Sequence, residues 1–584
     1  MIGDSKSGNL PTKVNPSKKM KTHSQEPSFL QHVPILSILT LAFLIRIIGV
    51  NFGLPDLYHA DEPIVVNHAL AYGTGDLNPH FFKIPPLVSY LLFFIYGCYY
   101  VIGYLIGIFT GVQDFAALFI QSPSSFYLIA RIIFGAMTGT ATVYVLFRLI
   151  NKFYSAQHAL LASFFLAISF LHVRDSHYIY TDIPLLLILV LCFYSMFYLV
   201  ETNKSKNTIL FGILFGASVA MKYNAVFLFI PFLIIYLIKK GIKQTSKLIT
   251  VIFISALTFF VLNPFSLLDF RFFVNELLQQ SKSENFLGFL HHITYSLGEG
   301  LGWPLLLLAA VGIAGTLRLQ DWKRWSFVLF IGVYYFVLCL FSQPYDRYVL
   351  PLVPFLIFFA ADGLLWLKSR FRLRNILFGF ILVVISLPSL VKSCVSDYLF
   401  MQKDTRLKAK EWIESNIPSN SKIALDTPFY VPKLKPSLNQ LIERKNEITS
   451  TAHDKAQQIR FNLLISEAEK NPKARYELFF LNQEGSQNNF IFSKPSIPYN
   501  LQSLKEAGIE FVVISQVNRN LNSQFNSNLK TGGTLLKKFS PYKDEKIEWP
   551  LDDLPLTGGP FLWKDLINRH TGGQIIKIYK LKNI

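Results

Sequence analysis

Two adjacent carboxylates, Asp61 and Glu62, stand in a polar stretch at residues 51–86, between two apolar runs. The same stretch holds His59, His68 and His80, a lone Lys83, and a Pro85-Pro86 pair ahead of the next apolar run. A connection between membrane segments needs only a few turn residues, and this one is longer and denser in ionisable groups. A carboxylate held beside a hydroxyl can take its proton while an anomeric carbon is attacked. A phosphate that leaves as an anion can be stabilised by cationic side chains, without a general acid.

The chain offers both kinds of group. Asp182, in HYIYTDIPLL, is a second candidate acid; its simpler reading is a helix N-cap, with Pro184 in the first turn. Arg46, Arg131, Lys222 and Arg347 lie inside or at the lip of apolar runs. A charge there costs roughly 2.5–3.5 kcal/mol on insertion scales, so it needs a reason. Each alone can snorkel to a lipid phosphate. Together, facing a carboxylate loop, they read as a site for a bound anion with two or more phosphate charges. The spacing of His59, His68, His291 and His292 fits no metal-ligand set, and these read as surface or interface histidines. No metal site is expected, no cofactor is certain, and a divalent cation is left open.

The elements that must position these groups are membrane spans. The chain has 584 residues, 51% of them hydrophobic and 16% charged, and a span needs about 20 mostly apolar residues. Apolar runs lie at about 31–50, 87–109, 126–148, 157–175, 183–200, 207–222, 223–238, 247–264, 301–317, 325–341, 348–367 and 375–395. They are too long and too unalternating for barrel strands, so they are helices. The expectation is an α-helical polytopic membrane protein with about 11–12 transmembrane helices and a small C-terminal α/β domain. Residues 1–28 read as a disordered cytoplasmic tail, 29–395 as the membrane domain, and 396–584 as an extracytoplasmic domain. Within that last part, 408–426 and 501–515 each read as a helix followed by a strand, with Gly508 at a helix C-cap and 574–581 as a closing strand. The Asn-, Gln- and Lys-rich stretch at 436–500 reads as an irregular insertion.

Charge sets the topology. The formal net charge is +19, but the basic residues sit in short loops beside apolar runs and form no stripe with aromatics, so nucleic acid is not an expected partner. If the run at 87–109 lies along or dips into the membrane, 20 clustered Lys and Arg residues share the N-terminal side. Six then face the other side: Lys83, Arg174, Arg271, Lys282, Arg347 and Lys392. The positive-inside bias favours this arrangement, with roughly eleven crossings, the N-terminus inside and the C-terminus outside. The four cysteines lie in or beside apolar runs, and none lies in the C-terminal part.

Arg46, then Asp61-Glu62 and IPPLVSYL (84–91), resembles the first external loop of the dolichyl-phosphate-mannose–protein mannosyltransferase-like family of the GT-C class. Further matches, in order, are ARIIFGAMTGTATVYVLF (130–147), SHYIYTDIPL (176–185), GASVAMKYNAVF (216–227), NPF (263–265) and RYVLPLVPFL (347–356). The resemblance implies a GT-C-like fold and a transferase that uses a polyprenyl-phosphate-linked sugar on the extracytoplasmic face of a bacterial inner membrane. It implies Asp61 as the base, with Glu62 beside it and Asp182 as the second external acid. Lys83, Arg131, Lys222, Arg347 and Tyr348 would hold the donor phosphate. The expected partners are this donor, a hydroxyl-bearing acceptor and the lipid bilayer. Two departures stand out: Ile84 separates Lys83 from the first proline, and His177 replaces the Arg of many members. The rival readings are a secondary transporter or lipid flippase with Asp61 and Asp182 as ion sites, and a polymerase or ligase using a diphosphate-linked donor.

Overall fold

A computed structural model describes residues 29–280, 288–340, 345–426, 430–449, 455–482, 495–515, 523–548 and 561–582. The tail at 1–28, Lys282 and, within the 436–500 stretch, residues 450–454 and 483–494 lie outside them. Among the described residues, nine helices are long and apolar enough to cross a membrane, and Val33–Ile47, Ala156–Ile168 and Ser205–Met221 are shorter apolar helices. The protein is a multi-pass, mostly helical membrane protein whose C-terminal part carries a small sheet.

The helix Asp182–Thr202 is a ruler for the bundle: 21 residues at 1.5 Å each span about 30 Å, one hydrocarbon thickness. At its first residue, Asp182 pairs with Lys222. Near its other end, Phe197 packs on Phe153 at 5.2 Å, Glu201 pairs with Lys323 at 2.6 Å, and Lys247 donates to the carbonyl of Asn203. One end of the bundle therefore collects acids and the other collects lysines.

Ser124–Phe153 runs between these ends, with Arg131 against Glu62 at the acidic end and Phe153 at the basic one. The chain between Glu62 and Ser124 thus leaves and regains the same end. Leu87–Leu105, between them, is itself long and apolar enough to cross a membrane. Its two halves are fastened there: Ser89 Oγ lies 3.0 Å from Tyr72 Oη, and Tyr96 Oη donates to Phe126 O at 3.0 Å. Leu91, Phe94, Val101, Ile102 and Leu105 stay exposed on its outer face, which suits contact with lipid.

Helices in lipid associate through close packing rather than hydrophobic expulsion from water. Small residues mark the close approaches. A Cβ on Gly135 would fall 2.2 Å from the carbonyl oxygen of Ser176, so only glycine lets Ser124–Phe153 meet the 176–178 backbone.

The helix Asn375–Met401 carries the chain out at the acidic end, passing residue 396 without a break. Beyond it lies a seven-stranded sheet in the order β2-β3-β1-β5-β7-β6, with β4 paired to β3. The strands are β1 Lys422–Leu425, β2 Lys435–Pro436, β3 Arg475–Asn482, β4 Ser496–Pro498, β5 Phe511–Ser515, β6 Gly533–Phe539 and β7 Ile576–Leu581. β1 runs parallel to β3 and β5, whereas β7 is antiparallel to β5. Side-chain alternation sends Ile423, Leu425 and Val513 to one core, with Ala409 and Ile413 of the helix Thr405–Asn416. Ala424 and Val512 go to the other, with Leu504 and Leu529. Both helix–strand units expected at 408–426 and 501–515 form, and Gly508 takes the left-handed conformation with φ +69°.

The irregular insertion expected at 436–500 is corrected. It contains the helices Leu438–Thr449 and Lys455–Lys470 and the strands β3 and β4. Leu441, Phe461 and Ala468 pack together between the two helices. Composition alone conceals that arrangement.

Candidate active site

The acidic end is built from four segments. Leu57 turns back at φ 59°, and the chain then reaches Asp61, directly before the helix Glu62–Ala71, where Pro63 suits the first turn. The 174–182 segment links a short helix to Asp182. Lys222 is the extended residue between Ser205–Met221 and the turn Tyr223–Leu228. Arg347 lies on the 3-10 turn Asp346–Leu352, which leads into Val353–Arg370.

These segments meet at one guanidinium. Arg347 Nη2 is 2.9 Å from Asp61 Oδ2, and its Nε is 4.0 Å from Asp182 Oδ2. The other oxygen of Asp182 accepts from Lys222 Nζ at 2.5 Å. The rings of Tyr345, Tyr180 and Tyr348 lie 4.8, 5.1 and 5.7 Å from the Arg347 guanidinium carbon, a cation–π collar. Lys222 Nζ stands 5.1 Å from the Tyr348 ring as well. Beneath them, Asp346 accepts from the Arg347 backbone N–H at 2.7 Å and from Arg174 at 2.6 Å. Arg174 also grips Asp175 at 2.8 Å. His59, Asp175, Tyr178, Tyr180, Asp182, Ile183 and Arg347 line a small cavity.

Asp61, Asp182, Lys222, Arg347 and Tyr348 thus come together, and Arg347 Nε and Nη1 remain buried without a hydrogen-bond partner. A guanidinium with open donors, steered by a carboxylate on either side, can hold an oxyanion and still answer to the acids.

The other expected site residues lie elsewhere. Glu62 and Arg131 form a fully buried pair with contacts of 2.8 and 2.7 Å. Arg131 also donates to the carbonyls of Val50 and Phe52, and Glu62 accepts from Ile179 N. Four donations are spent on protein groups, so this pair fastens the loop to the bundle. Lys83 is exposed on its loop. Arg46 does not snorkel: it is buried and donates to the carbonyls of Ala42, Leu166 and Ala167. Asp182 is not an N-cap. Thr181 holds that position, and the carboxylate turns to Lys222 instead.

The histidines are corrected too, since His59 and His292 are buried rather than at the surface. Among the described residues no three His, Cys, Asp or Glu side chains form a metal-binding group. Asp61 and Asp182 each face a cationic side chain, and this donor set does not fit a divalent cation. Sequence reading missed His59 as a cavity residue, along with Tyr180, Tyr345 and the Arg174–Asp175–Asp346 support. The one available signal was proximity: His59, Tyr180, Tyr345 and Asp346 each lie within two residues of Asp61, Asp182 or Arg347, whereas Arg174 and Asp175 do not.

Residues 101–267 match the family model described as dolichyl-phosphate-mannose-protein mannosyltransferase. The chain is similar to that family. The matched stretch carries Arg131, Asp182 and Lys222, while Asp61 and Arg347 lie outside it. Among solved structures, ArnT from Cupriavidus metallidurans bound to undecaprenyl phosphate aligns over 94% of this chain and 98% of its own, at 11% identity and a TM-score of 0.47. The oligosaccharyltransferase of Archaeoglobus fulgidus, in complex with Zn and sulfate, aligns over 82% of this chain and 68% of its own, at 10% identity and a TM-score of 0.43. No curated protein sequence gives a significant match.

Proposed function

We propose that this protein is a GT-C-type membrane glycosyltransferase that moves a sugar from a polyprenyl-phosphate-linked donor to a hydroxyl acceptor. The observation that carries the reading is the meeting of Asp61, Asp182 and Lys222 around Arg347 at the end of the bundle away from the lysine-rich connections. The family match over residues 101–267 supports it independently. The positive-inside bias then sets the lysine-rich end and the N-terminus in the cytoplasm of a bacterial inner membrane. The catalytic end and the C-terminal part fall on the extracytoplasmic side. In this reading the chain from 29 through the helix Asn375–Met401 is the catalytic membrane domain, with its loop at 51–86, and the residues after it form an accessory domain.

The chemistry follows from the groups present. The acceptor hydroxyl attacks the anomeric carbon from the side opposite the phosphate, and the new C–O bond forms as the bond to phosphate breaks, with inversion. Asp61 takes the hydroxyl proton. The polyprenyl phosphate departs with the bonding electron pair, and Arg347 and Lys222 stabilise its charge. An incoming phosphate competes with Asp61 for Arg347. Each increment of guanidinium charge it draws away makes the carboxylate a stronger base.

The test incubates purified protein with labelled polyprenyl-phosphate sugars and hydroxyl acceptors and measures free polyprenyl phosphate. Release coupled to acceptor glycosylation supports the proposal, as does its loss in Asp61→Asn. Movement of lipid or ion across a vesicle without release overturns it in favour of a transporter. Lys222→Glu is expected to weaken donor binding; unchanged affinity removes Lys222 from the phosphate site.

A further inference from the structure

His59 is buried, with 2% of its surface exposed, and its ring packs on Tyr178 at 4.4 Å between centroids, tilted by 37°. Its Nδ1 accepts the backbone N–H of Asp61 at 3.2 Å. An acceptor cannot carry the proton, so Nδ1 is bare and the hydrogen sits on Nε2. Protonating both nitrogens would set one N–H against another. Burial, together with the guanidinium groups of Arg347, Arg131 and Arg174, holds the imidazole well below its ordinary range. The ring is therefore neutral, with a fixed tautomer.

Among the described residues Nε2 has no hydrogen-bond partner, and it is not among the fully buried unsatisfied atoms, while the ring lines the cavity with Asp182 and Arg347. The same wall carries Arg347 Nε and Nη1 and the hydroxyl of Tyr178, all without hydrogen-bond partners among the described residues, with the Tyr180 ring and the carboxylates of Asp175 and Asp182 beside them. A set of donors with open hydrogens, converging on one small space, recognises an oxyanion.

We infer that His59 donates from Nε2 to a phosphate oxygen of the sugar donor, beside Arg347, while its Nδ1 holds the backbone of Asp61 in place. This inference rests on the proposed glycosyl transfer and names a further residue that touches the substrate. It also explains why a neutral ring is useful here: an imidazolium would add a positive charge beside Asp61 and blunt it as a base, whereas a neutral N–H binds phosphate without adding one.

The two nitrogens can be separated by substitution. In His59→Asn the amide oxygen can replace Nδ1 as acceptor, but nothing reaches the position of Nε2. In His59→Gln the amide N–H can replace Nε2. Full-length protein in lipid nanodiscs is titrated with polyprenyl monophosphate, and thermal unfolding is recorded in parallel. His59→Asn is expected to bind about tenfold or more weakly, and His59→Gln to recover most of the loss. His59→Phe keeps the packing on Tyr178 without a donor and should bind as weakly as His59→Asn. Wild-type affinity in His59→Asn, or equal loss in Asn and Gln variants of undiminished thermal stability, overturns the inference alone. Failure of the wild-type protein to bind polyprenyl phosphate at all overturns the proposed donor, and the role of His59 with it.

Discussion

Arg347 lies closer to Asp61, at 2.9 Å, than to Asp182, at 4.0 Å, so one guanidinium serves two acids unequally. The approach to Asp61 uses Nη2 and leaves Nη1 open, and only a planar fork has donors for both an acid and a phosphate. Arg347→Lys, which keeps the charge and loses the fork, is therefore expected to lower the transfer rate about 10²-fold or more. Asp61→Asn is expected to lower it by about 10²–10⁴-fold with donor affinity preserved. Steady-state rates and donor titrations separate the two effects. A lysine variant at full rate would show that the fork is idle.

Glu62 and Arg131 are expected to affect stability rather than turnover. Glu62→Gln leaves a buried guanidinium without its counter-charge, at a cost of about 3–5 kcal/mol. Thermal unfolding in detergent reads this as a large drop, with unchanged donor affinity per folded molecule. Replacing both residues by methionine should recover much of the loss, because the desolvation penalty goes with the pair.

Helix contact through glycine makes a sharp comparison. A Cβ at Gly312 would fall 2.1 Å from the carbonyl oxygen of Phe359, whereas one at Gly315, in the same helix, would meet nothing within 4 Å. Gly312→Ala should destabilise by about 1–3 kcal/mol or more as Trp303–Thr316 and Val353–Arg370 are pushed apart. Gly315→Ala should be neutral or slightly stabilising, by up to about 1 kcal/mol. Equal effects at the two positions would contradict the packing described.

Lys433 sets a pH dependence outside the membrane spans. Burial pushes its ammonium down to about 8; Asp56 opposes the shift, while Arg406, Arg460 and Lys410 reinforce it. An unfolded chain holds that proton up to about 10.4. Between these values the unfolded state binds more protons, so the residue's contribution to stability improves as pH rises. Below about 8 the penalty is present in full. Lys433→Met is expected to raise Tm at pH 7, and its advantage should fade toward pH 10. A constant difference across that range would mean that the ammonium is well solvated.

The sequence by itself determined the spans and the cast of charged groups. Apolar runs of span length have one stable form in lipid, because backbone groups there must bond within the segment. A charge in such a run is costly enough to mark itself, which is why Arg131, Lys222 and Arg347 stood out. Only the tertiary structure decided partnership. Asp61 and Glu62 are neighbours in the chain, yet the turn into the helix Glu62–Ala71 sends one carboxylate to Arg347 and the other to Arg131. His59 gave no sign of its tautomer, which a single backbone N–H fixes. Composition and spacing reveal that a buried charge needs a counterpart; which counterpart it finds depends on helices that meet far apart in sequence.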